Sequence, residues 1–197
     1  MAVMMILELD DATTDDYEAV NEAIGIDEDN LPDGLISHAA GPTDEGGLLI
    51  VDVWESAEAL DRFFTEHAGP AMAQAGVEST AQPQVHQVHN HIPKGSGIHP
   101  NAIVLIEAEG FGPDDYDAVT GEMDAHAGDG SAHPAVMHIA AVKDDGSMVF
   151  VDIWESPEAA GRFVEEQVGA AAESAGVDMG SMEPRVVPVH NHLAAKS

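Results

Sequence analysis

Two pairs of histidine and aspartate stand at matching places in the two halves of the chain. His38 and Asp52 lie in consecutive predicted strands, and His138 and Asp152 repeat the arrangement. If the two strands form a hairpin, each histidine can lie opposite its aspartate, with Cβ atoms about 4.5–5.5 Å apart. A carboxylate that fixes the tautomer of an imidazole makes that imidazole a general base for a small phenolic substrate. We therefore predict that these four residues are catalytic.

This prediction depends on the register of the hairpin. The register that aligns each histidine with its aspartate also predicts the pairs Ala40–Ile50, Ile36–Trp54 and, in the second copy, Val136–Trp154. Trp54 and Trp154 then share a face with the polar pair and are candidates for the wall of a ligand pocket. A slip of one residue would place the side chains on opposite faces. A second interpretation stays open, in which the pair is a buried polar clasp and the tryptophans belong to the core.

More histidines stand at the end of the last predicted strand of each copy. His89-Asn90-His91 and His190-Asn191-His192 each place two imidazoles on one strand face. Two such imidazoles can chelate a metal ion, but no third ligand of recognisable spacing accompanies them, so we expect no metal. We predict instead that His89 and His190 contact a ligand. The histidines without a counterpart in the other copy are expected at the surface: His67, His99, His126 and His133.

An internal duplication explains why these groups occur twice. Val51–Ala59 recurs as Val151–Ala159, and Tyr17 recurs as Tyr116. We predict two domains, residues 1–93 and 101–197, joined by a flexible linker at 94–100.

Each copy is predicted to have the order β-α-β-β-α-β. The predicted strands are 3–9, 35–40, 48–54 and 84–90 in the first copy, and 102–108, 135–141, 148–154 and 185–191 in the second. Thr13 is a cap for the first helix, and Pro113 is a favoured first residue for its counterpart. Ser56 or Ser156 caps a longer helix after the hairpin.

The charge of the chain is extreme. It has 37 acidic residues against 6 lysines and arginines, a formal net charge of −31, and its acids are scattered. Such a surface repels itself in dilute buffer, and about 1 M salt shortens the Debye length to about 3 Å and screens the repulsion. The pattern is typical of extreme halophiles, with a specific basic partner as the alternative. No nucleic acid partner is expected, because 6 basic residues against 37 acidic ones cannot neutralise a phosphate backbone.

Other classes of protein are excluded by simpler features. The chain has no cysteine, so it has neither disulfides nor thiolate chemistry. Its apolar runs are shorter than the roughly 18 residues of a membrane span, so no membrane association is expected. The amino terminus lacks the basic region of a signal peptide, which predicts a cytoplasmic protein.

The order of elements, with Val53–Ser56 leading into the second helix of the first copy, resembles the dimeric α/β-barrel superfamily. The closest resemblance is to antibiotic-biosynthesis-monooxygenase-like domains. It implies an α+β fold of tandem ferredoxin-like repeats whose antiparallel sheets form one intramolecular α/β barrel, a pseudo-dimer. Further association of chains into a homo-oligomer is left open.

The resemblance also implies a small-molecule ligand, no cofactor and two alternative functions. One is a cofactor-independent, monooxygenase-like enzyme acting on an aromatic or quinone-type substrate. The other is a non-catalytic ligand-binding or stress-related protein. The haem-degrading branch has an Asn on the first strand and a Trp and a His on the second helix. Here the first strands have no Asn, the second helices have Phe63 and Phe163, and His67 of the first copy is replaced by Gln167 in the second. Haem degradation is therefore not expected.

A pocket would distinguish these two functions. An apolar pocket of about 300 Å³ or more at the His–Asp face favours the enzyme. A face packed shut by Met4, Met5, Met148 and Phe150 favours the non-catalytic protein.

Overall fold

The computed structural model describes residues 1–27, 29–77, 81–93, 99–127, 133–180 and 182–195, with side chains to residue 123 in the fourth range. Contacts divide the chain into unit 1, Met1–Gln87 with Val187–Ser197, and unit 2, Val88–Val186. Each unit therefore combines most of one sequence copy with the last strand residues of the other. The division into 1–93 and 101–197 stays a prediction about the sequence, and most of the predicted linker, 94–98, lies outside the described residues.

Unit 1 is an antiparallel sheet with helices. Its elements are β1 (Val3–Leu9), α1 (Thr14–Ile24), β2 (Leu35–Pro42), β3 (Leu48–Trp54), α2 (Ala57–Phe63), α3 (Gly69–Ala75), the start of β4 (Gln84–Ile92), and β9 (Asn191–Ala194). The strand order is β4–β1–β3–β2–β9. A π-helical turn, Phe64–Ala68, joins α2 to α3, so the longer helix predicted after Ser56 is interrupted rather than uniform.

The helix starts follow from local hydrogen bonding. The Thr13 hydroxyl accepts from the Asp16 amide at 3.2 Å, and the Asp16 carboxylate accepts from the Thr13 amide at 2.8 Å. This reciprocal capping box fixes the first turn of α1. Ser56 likewise accepts from the Ala59 amide at 3.3 Å at the start of α2. Both predicted caps are confirmed.

The β2–β3 register matches the prediction where the polar pair lies. His38 is opposite Asp52, and Ala40 is opposite Ile50. The predicted pairing of Ile36 with Trp54 is wrong, because an irregularity between Leu35 and Ser37 places Leu35 opposite that tryptophan. An extra residue in one strand is the usual form of a β-bulge, and it shifts the pairing at that point alone.

Unit 2 has corresponding elements. They are the end of β4, β5 (Ala102–Ala108), α4 (Pro113–Ala127), β6 (Met137–Val142), β7 (Met148–Trp154), α5 (Pro157–Phe163), α6 (Gly169–Ala175), and the start of β8 (Arg185–Pro188). The strand order is β8–β5–β7–β6–β4, and α4 begins at Pro113 as predicted.

Two predictions about unit 2 and its neighbouring strand need correction. Val136 does not pair with Trp154; it precedes β6, and its amide donates to the carbonyl of Ile153 at 2.7 Å. The last predicted strand of the second copy, 185–191, is divided into β8 and β9 by a break at 189–190.

The predicted α+β class is confirmed, and each unit has an antiparallel sheet. Closure of the two sheets into an intramolecular barrel stays a prediction. Among the described residues, no helix combines the length and the apolar character that a membrane crossing requires.

Candidate functional site

Three side chains form a hydrogen-bonded relay in unit 1. His38 Nδ1 lies 2.6 Å from Asp52 Oδ1, and His38 Nε2 lies 2.6 Å from the Tyr17 hydroxyl. An ionised carboxylate only accepts hydrogen bonds, so in the neutral imidazole the proton is on Nδ1 and Nε2 is the acceptor. The Tyr17 hydroxyl therefore donates to His38, which is poised to take a proton at Nε2.

The fold places each member of this relay. Tyr17 lies in the turn of α1 that follows the capping box, whereas His38 and Asp52 face each other across β2 and β3. The buried Trp54 donates from Nε1 to the second Asp52 oxygen, Oδ2, at 3.3 Å. Asp52 is only 4% exposed, and both of its oxygens are hydrogen-bonded. Such a carboxylate is held in one orientation and can stabilise an imidazolium beside it.

A segment from the carboxyl-terminal end of the chain completes the relay. Asn191 donates from Nδ2 to the Tyr17 hydroxyl at 2.9 Å. The His190 ring stands edge-on to Tyr17 with 5.5 Å between centroids, and its Nε2 lies 2.7 Å from a Glu18 carboxylate oxygen. Gly41 allows this segment to approach, because a Cβ there would lie 2.0 Å from the Pro188 carbonyl oxygen. The predicted contact of His190 with a ligand stays a prediction.

Unit 2 contains the same relay. His138 Nδ1 is 2.6 Å from Asp152 Oδ1, and His138 Nε2 is 2.8 Å from the Tyr116 hydroxyl. Asn90 donates to that hydroxyl at 2.8 Å. His89 lies edge-on to Tyr116 and binds Asp117 at 2.7 Å, so its predicted contact with a ligand is likewise untested.

The relay of unit 1 opens onto an apolar cavity of about 90 Å³. Its polar lining residues are Asp16, Tyr17, Asn21, His38 and Asp52, and its apolar walls include Met5, Leu7, Ile50, Trp54, Phe63 and Met72. The cavity reaches the His–Asp pair as the enzyme hypothesis requires, and Met5 lines it without closing it. Its volume is below the roughly 300 Å³ that the sequence analysis required. A dry apolar cavity of about 150 Å³ can hold benzene, so a cavity of about 90 Å³ limits a ligand to at most one small ring.

Three solved structures of other proteins resemble this chain over almost its whole length. A proposed monooxygenase from Lactobacillus acidophilus NCFM is 16% identical, with a TM-score of 0.66 over 98% of this chain and 96% of its own. A proposed monooxygenase from Fusobacterium nucleatum is 9% identical, with a TM-score of 0.69 over 98% of this chain and 94% of its own. An anthrone oxidase-like protein is 13% identical, with a TM-score of 0.53 over 100% of this chain and 94% of its own.

The chain therefore shares the fold of these three structures. Identities this low support a shared fold and nothing about substrates. No protein-family model matches the chain, and the search of curated proteins found no match.

The space beside the relay is filled differently in unit 2. Phe150 stands where unit 1 has Ile50 and stacks on Tyr116 and His138, with centroids 5.8 and 6.4 Å apart. The imidazole of His133 stacks on His138 at 4.6 Å. It also meets Phe163 edge-on at 5.0 Å. Aromatic rings therefore cover the face of the relay.

The predicted surface position of His133 is wrong. Its ring is half-buried among aromatic side chains, and burial, together with the neighbouring His138, lowers its pKa to about 4. His133 was expected at the surface because the first copy has no histidine at the matching position. The two copies can also differ at interior positions, where different side chains fill the space. His67 and His99 are exposed as predicted, and the side chain of His126 lies outside the described residues.

The other histidines of the two His-Asn-His segments lie near the relays. Burial lowers the pKa of His91 to about 4, with a further contribution from the charge of His138. Burial likewise lowers the pKa of His192, with a contribution from His38. Within the described residues, no group of three or more His, Asp or Glu side chains could hold a metal ion.

Burial also affects the tyrosine of unit 1. It raises the pKa of Tyr17, and the charges of Asp52 and Glu18 add to the rise, while hydrogen bonds from Asn21 and Asn191 oppose it. The hydroxyl is therefore neutral at neutral pH and can act as a proton carrier between a ligand and His38.

The tyrosines and asparagines of the relays were not among the predicted site residues. Tyr17 and Tyr116 stood out in the sequence only as a repeated pair, although they are the only two tyrosines and occupy matching positions. Asn90 and Asn191 were visible in the sequence between two histidines. The sequence could not show that each asparagine donates a hydrogen bond to the tyrosine of the other sequence copy.

Proposed function

We propose that unit 1 is the active site of a cofactor-independent, monooxygenase-like enzyme acting on a small aromatic or quinol-type compound. The observation that carries the proposal is the Tyr17–His38–Asp52 relay at the wall of an apolar cavity. The proteins that share this fold, two proposed monooxygenases and an anthrone oxidase-like protein, favour the same class.

The relay supplies a path for one proton. The Tyr17 hydroxyl donates to His38, and its oxygen accepts from Asn191 and from Asn21. Asn21 lines the cavity, so the hydroxyl of a substrate reaches the Tyr17 oxygen by taking the place of the Asn21 amide. As the substrate gives its proton to this oxygen, Tyr17 passes its own proton to His38 Nε2. The resulting imidazolium is stabilised by Asp52, which Trp54 holds in place. The net result is a substrate anion and a charged pair buried beneath it.

Dioxygen is the co-substrate in this proposal. The substrate anion supplies the electrons. A ring C–H carbon, which is a CH₂ in the keto tautomer of the hydroxyarene, becomes C=O, and the second oxygen atom leaves as water, so four electrons are transferred and the atoms balance. The protein's contribution is deprotonation and positioning in a dry cavity. A cavity of about 90 Å³ favours a single ring over a fused three-ring compound.

One observation favours the second candidate, a non-catalytic ligand-binding or stress-related protein. Both oxygens of Asp52 and both ring nitrogens of His38 have hydrogen-bond partners within the protein. A fully satisfied network of this kind also stabilises a hairpin without any chemistry.

Oxygen consumption with a panel of hydroquinones and hydroxyarenes tests the proposal. We expect His38→Ala to abolish consumption while any ligand still binds, with Ala39→Gly, a neighbour on the other sheet face, as a control for the backbone. If His38→Ala lowers the melting temperature and leaves turnover intact, the pair is a clasp and the enzyme proposal is wrong.

The acidic surface supports a further part of the proposal, that the protein works in a halophilic cytoplasm. The net charge of −31 is the observation behind it.

A further inference from the structure

We infer that unit 2 holds a second, closed ligand site in which the imidazole of His133 occupies the place of a ligand ring. The inference rests on the proposed function for the class of ligand, a small planar ring, but not for catalysis. It concerns residues of unit 2 alone.

The contacts of His133 are those expected of a bound ring. Its imidazole lies nearly parallel to His138, with centroids 4.6 Å apart and 25° between the planes. Phe163 meets it edge-on at 5.0 Å, and Trp154 is 6.0 Å away. Offset-stacked and edge-to-face arrangements at these distances are the favourable geometries for aromatic rings. His133 is therefore bound by the side chains that surround the relay.

The corresponding side chains of unit 1 surround empty space. His38, Trp54 and Phe63 all line the cavity of about 90 Å³. The residue five positions before His38 is Asp33, which lines a different, polar cavity of about 280 Å³ with Arg62 and His67. Unit 1 therefore has no ring at the place that His133 fills in unit 2.

A second difference between the two units reduces the space in the closed site further. Ile50 lines the open cavity, and the residue in its place in unit 2, Phe150, stacks on both Tyr116 and His138. Two rings thus cover the relay of unit 2. The ring of Phe150 belongs to β7, and the ring of His133 belongs to the segment before β6. Removing His133 alone leaves a space of about one five-membered ring.

The chemistry of the site defines the ligand that would replace His133. Burial keeps that imidazole uncharged at neutral pH, so the site accepts a neutral ring. Trp154 Nε1 is buried and has no hydrogen-bond partner among the described residues, whereas Trp54 donates to Asp52. A buried donor without a partner is unfavourable, and a ligand acceptor would satisfy it. The class is therefore a neutral, single planar ring with a hydrogen-bond acceptor, as in imidazole or phenol.

Indole NMR signals can test the two units separately. The chain has two tryptophans, one in each unit, so ¹H–¹⁵N spectra contain two indole signals. Wild type, His133→Ala and His133→Phe would be titrated with phenol and with imidazole at slightly alkaline pH. Asp33→Ala, changed at the corresponding place in unit 1, is the matched control. His133→Ser provides a second open variant should the alanine variant fold poorly, as judged by the dispersion of the remaining amide signals.

We expect the Trp154 signal to stay unmoved in wild type and His133→Phe, and to shift saturably in His133→Ala or His133→Ser. Asp33→Ala should behave as wild type at Trp154. An equal response of Trp154 in wild type and the open variants would overturn the inference, as would no response in folded open variants. If Trp54 never responds but Trp154 responds in the open variants, the proposed function of unit 1 fails and the closed site stands.

Discussion

Replacing Asp52 by asparagine should separate proton transfer from structural support in unit 1. The buried Trp54 Nε1–H needs an acceptor at this position, so the new amide should turn its oxygen to Trp54. Its NH₂ group then faces His38 and donates to Nδ1, which moves the imidazole proton to Nε2. His38 now donates to the Tyr17 oxygen and can no longer take a proton from it. The hydrogen bonds survive, but their direction is reversed along the relay.

The expected magnitudes differ widely between activity and stability. A general base contributes about 10²–10⁴ in rate, so loss of the acceptor at Nε2 should cost about 3–5 kcal/mol in activation free energy. Exchanging a charge-assisted hydrogen bond for a neutral one should cost about 1–2 kcal/mol in the free energy of unfolding. Oxygen consumption and urea unfolding measure the two effects on the same sample.

Asp152→Asn is the matched control for this variant. Trp154 Nε1 does not bind Asp152, so nothing forces the amide to turn, and the variant should lose stability slightly without losing turnover. Turnover of Asp52→Asn within about threefold of wild type would show that the tautomer of His38 is irrelevant and would refute the reasoning.

Three other expectations concern stability. Tyr17→Phe leaves His38 Nε2 and the Asn191 amide without their buried partner and should lower the free energy of unfolding by about 1–3 kcal/mol; a change below about 0.5 kcal/mol in urea titrations would contradict the assigned bonds. The pKa of His133 is about 4 in the folded chain and about 6.5 in the unfolded chain. Between these pH values the unfolded chain binds more protons, so the free energy of unfolding decreases as the pH falls from 6.5 towards 4. His133→Phe should remove this contribution to the dependence of the free energy of unfolding on pH. The titratable neighbours His138 and Asp152 are present in both proteins, so the difference reports His133 alone, and identical pH dependences would disprove the prediction. The melting temperature, measured by circular dichroism, should rise steeply between about 0.1 and 2 M KCl. A melting temperature that does not change over this range would contradict the halophilic interpretation.

The elements that the sequence predicted best are those determined by local rules. The caps at Thr13 and Ser56 and the start of α4 at Pro113 depend on residues a few positions apart, and all are confirmed. Alternation along the two strands can place His38 and Asp52 on one face, but the register that pairs them was an assumption, and the structure has that register. The bulge beside Ile36 could not be predicted in the same way, because that stretch has the same apolar alternation with or without an extra residue.

The relay was only half visible in the sequence for a different reason. Its histidine and aspartate belong to one hairpin, but Tyr17 comes from a helix and Asn191 from the far end of the chain. Only folding brings these positions together, and the partner of Tyr17 belongs to the other sequence copy. The position of His133 was mispredicted because burial of a loop side chain depends on the cavity it meets and not on any local pattern.

The presence of both relays does not by itself indicate two active sites. In unit 2 the relay lies under Phe150 and His133, yet each of its polar atoms would lose a buried partner if one member were replaced by an apolar residue. Such a loss costs about 1–3 kcal/mol, a large part of the stability of a small domain. The stability requirement alone therefore keeps histidine and aspartate together in a closed unit. What distinguishes unit 1 is the cavity beside the Tyr17 hydroxyl, so the space at the end of the relay carries the functional argument more than the relay does.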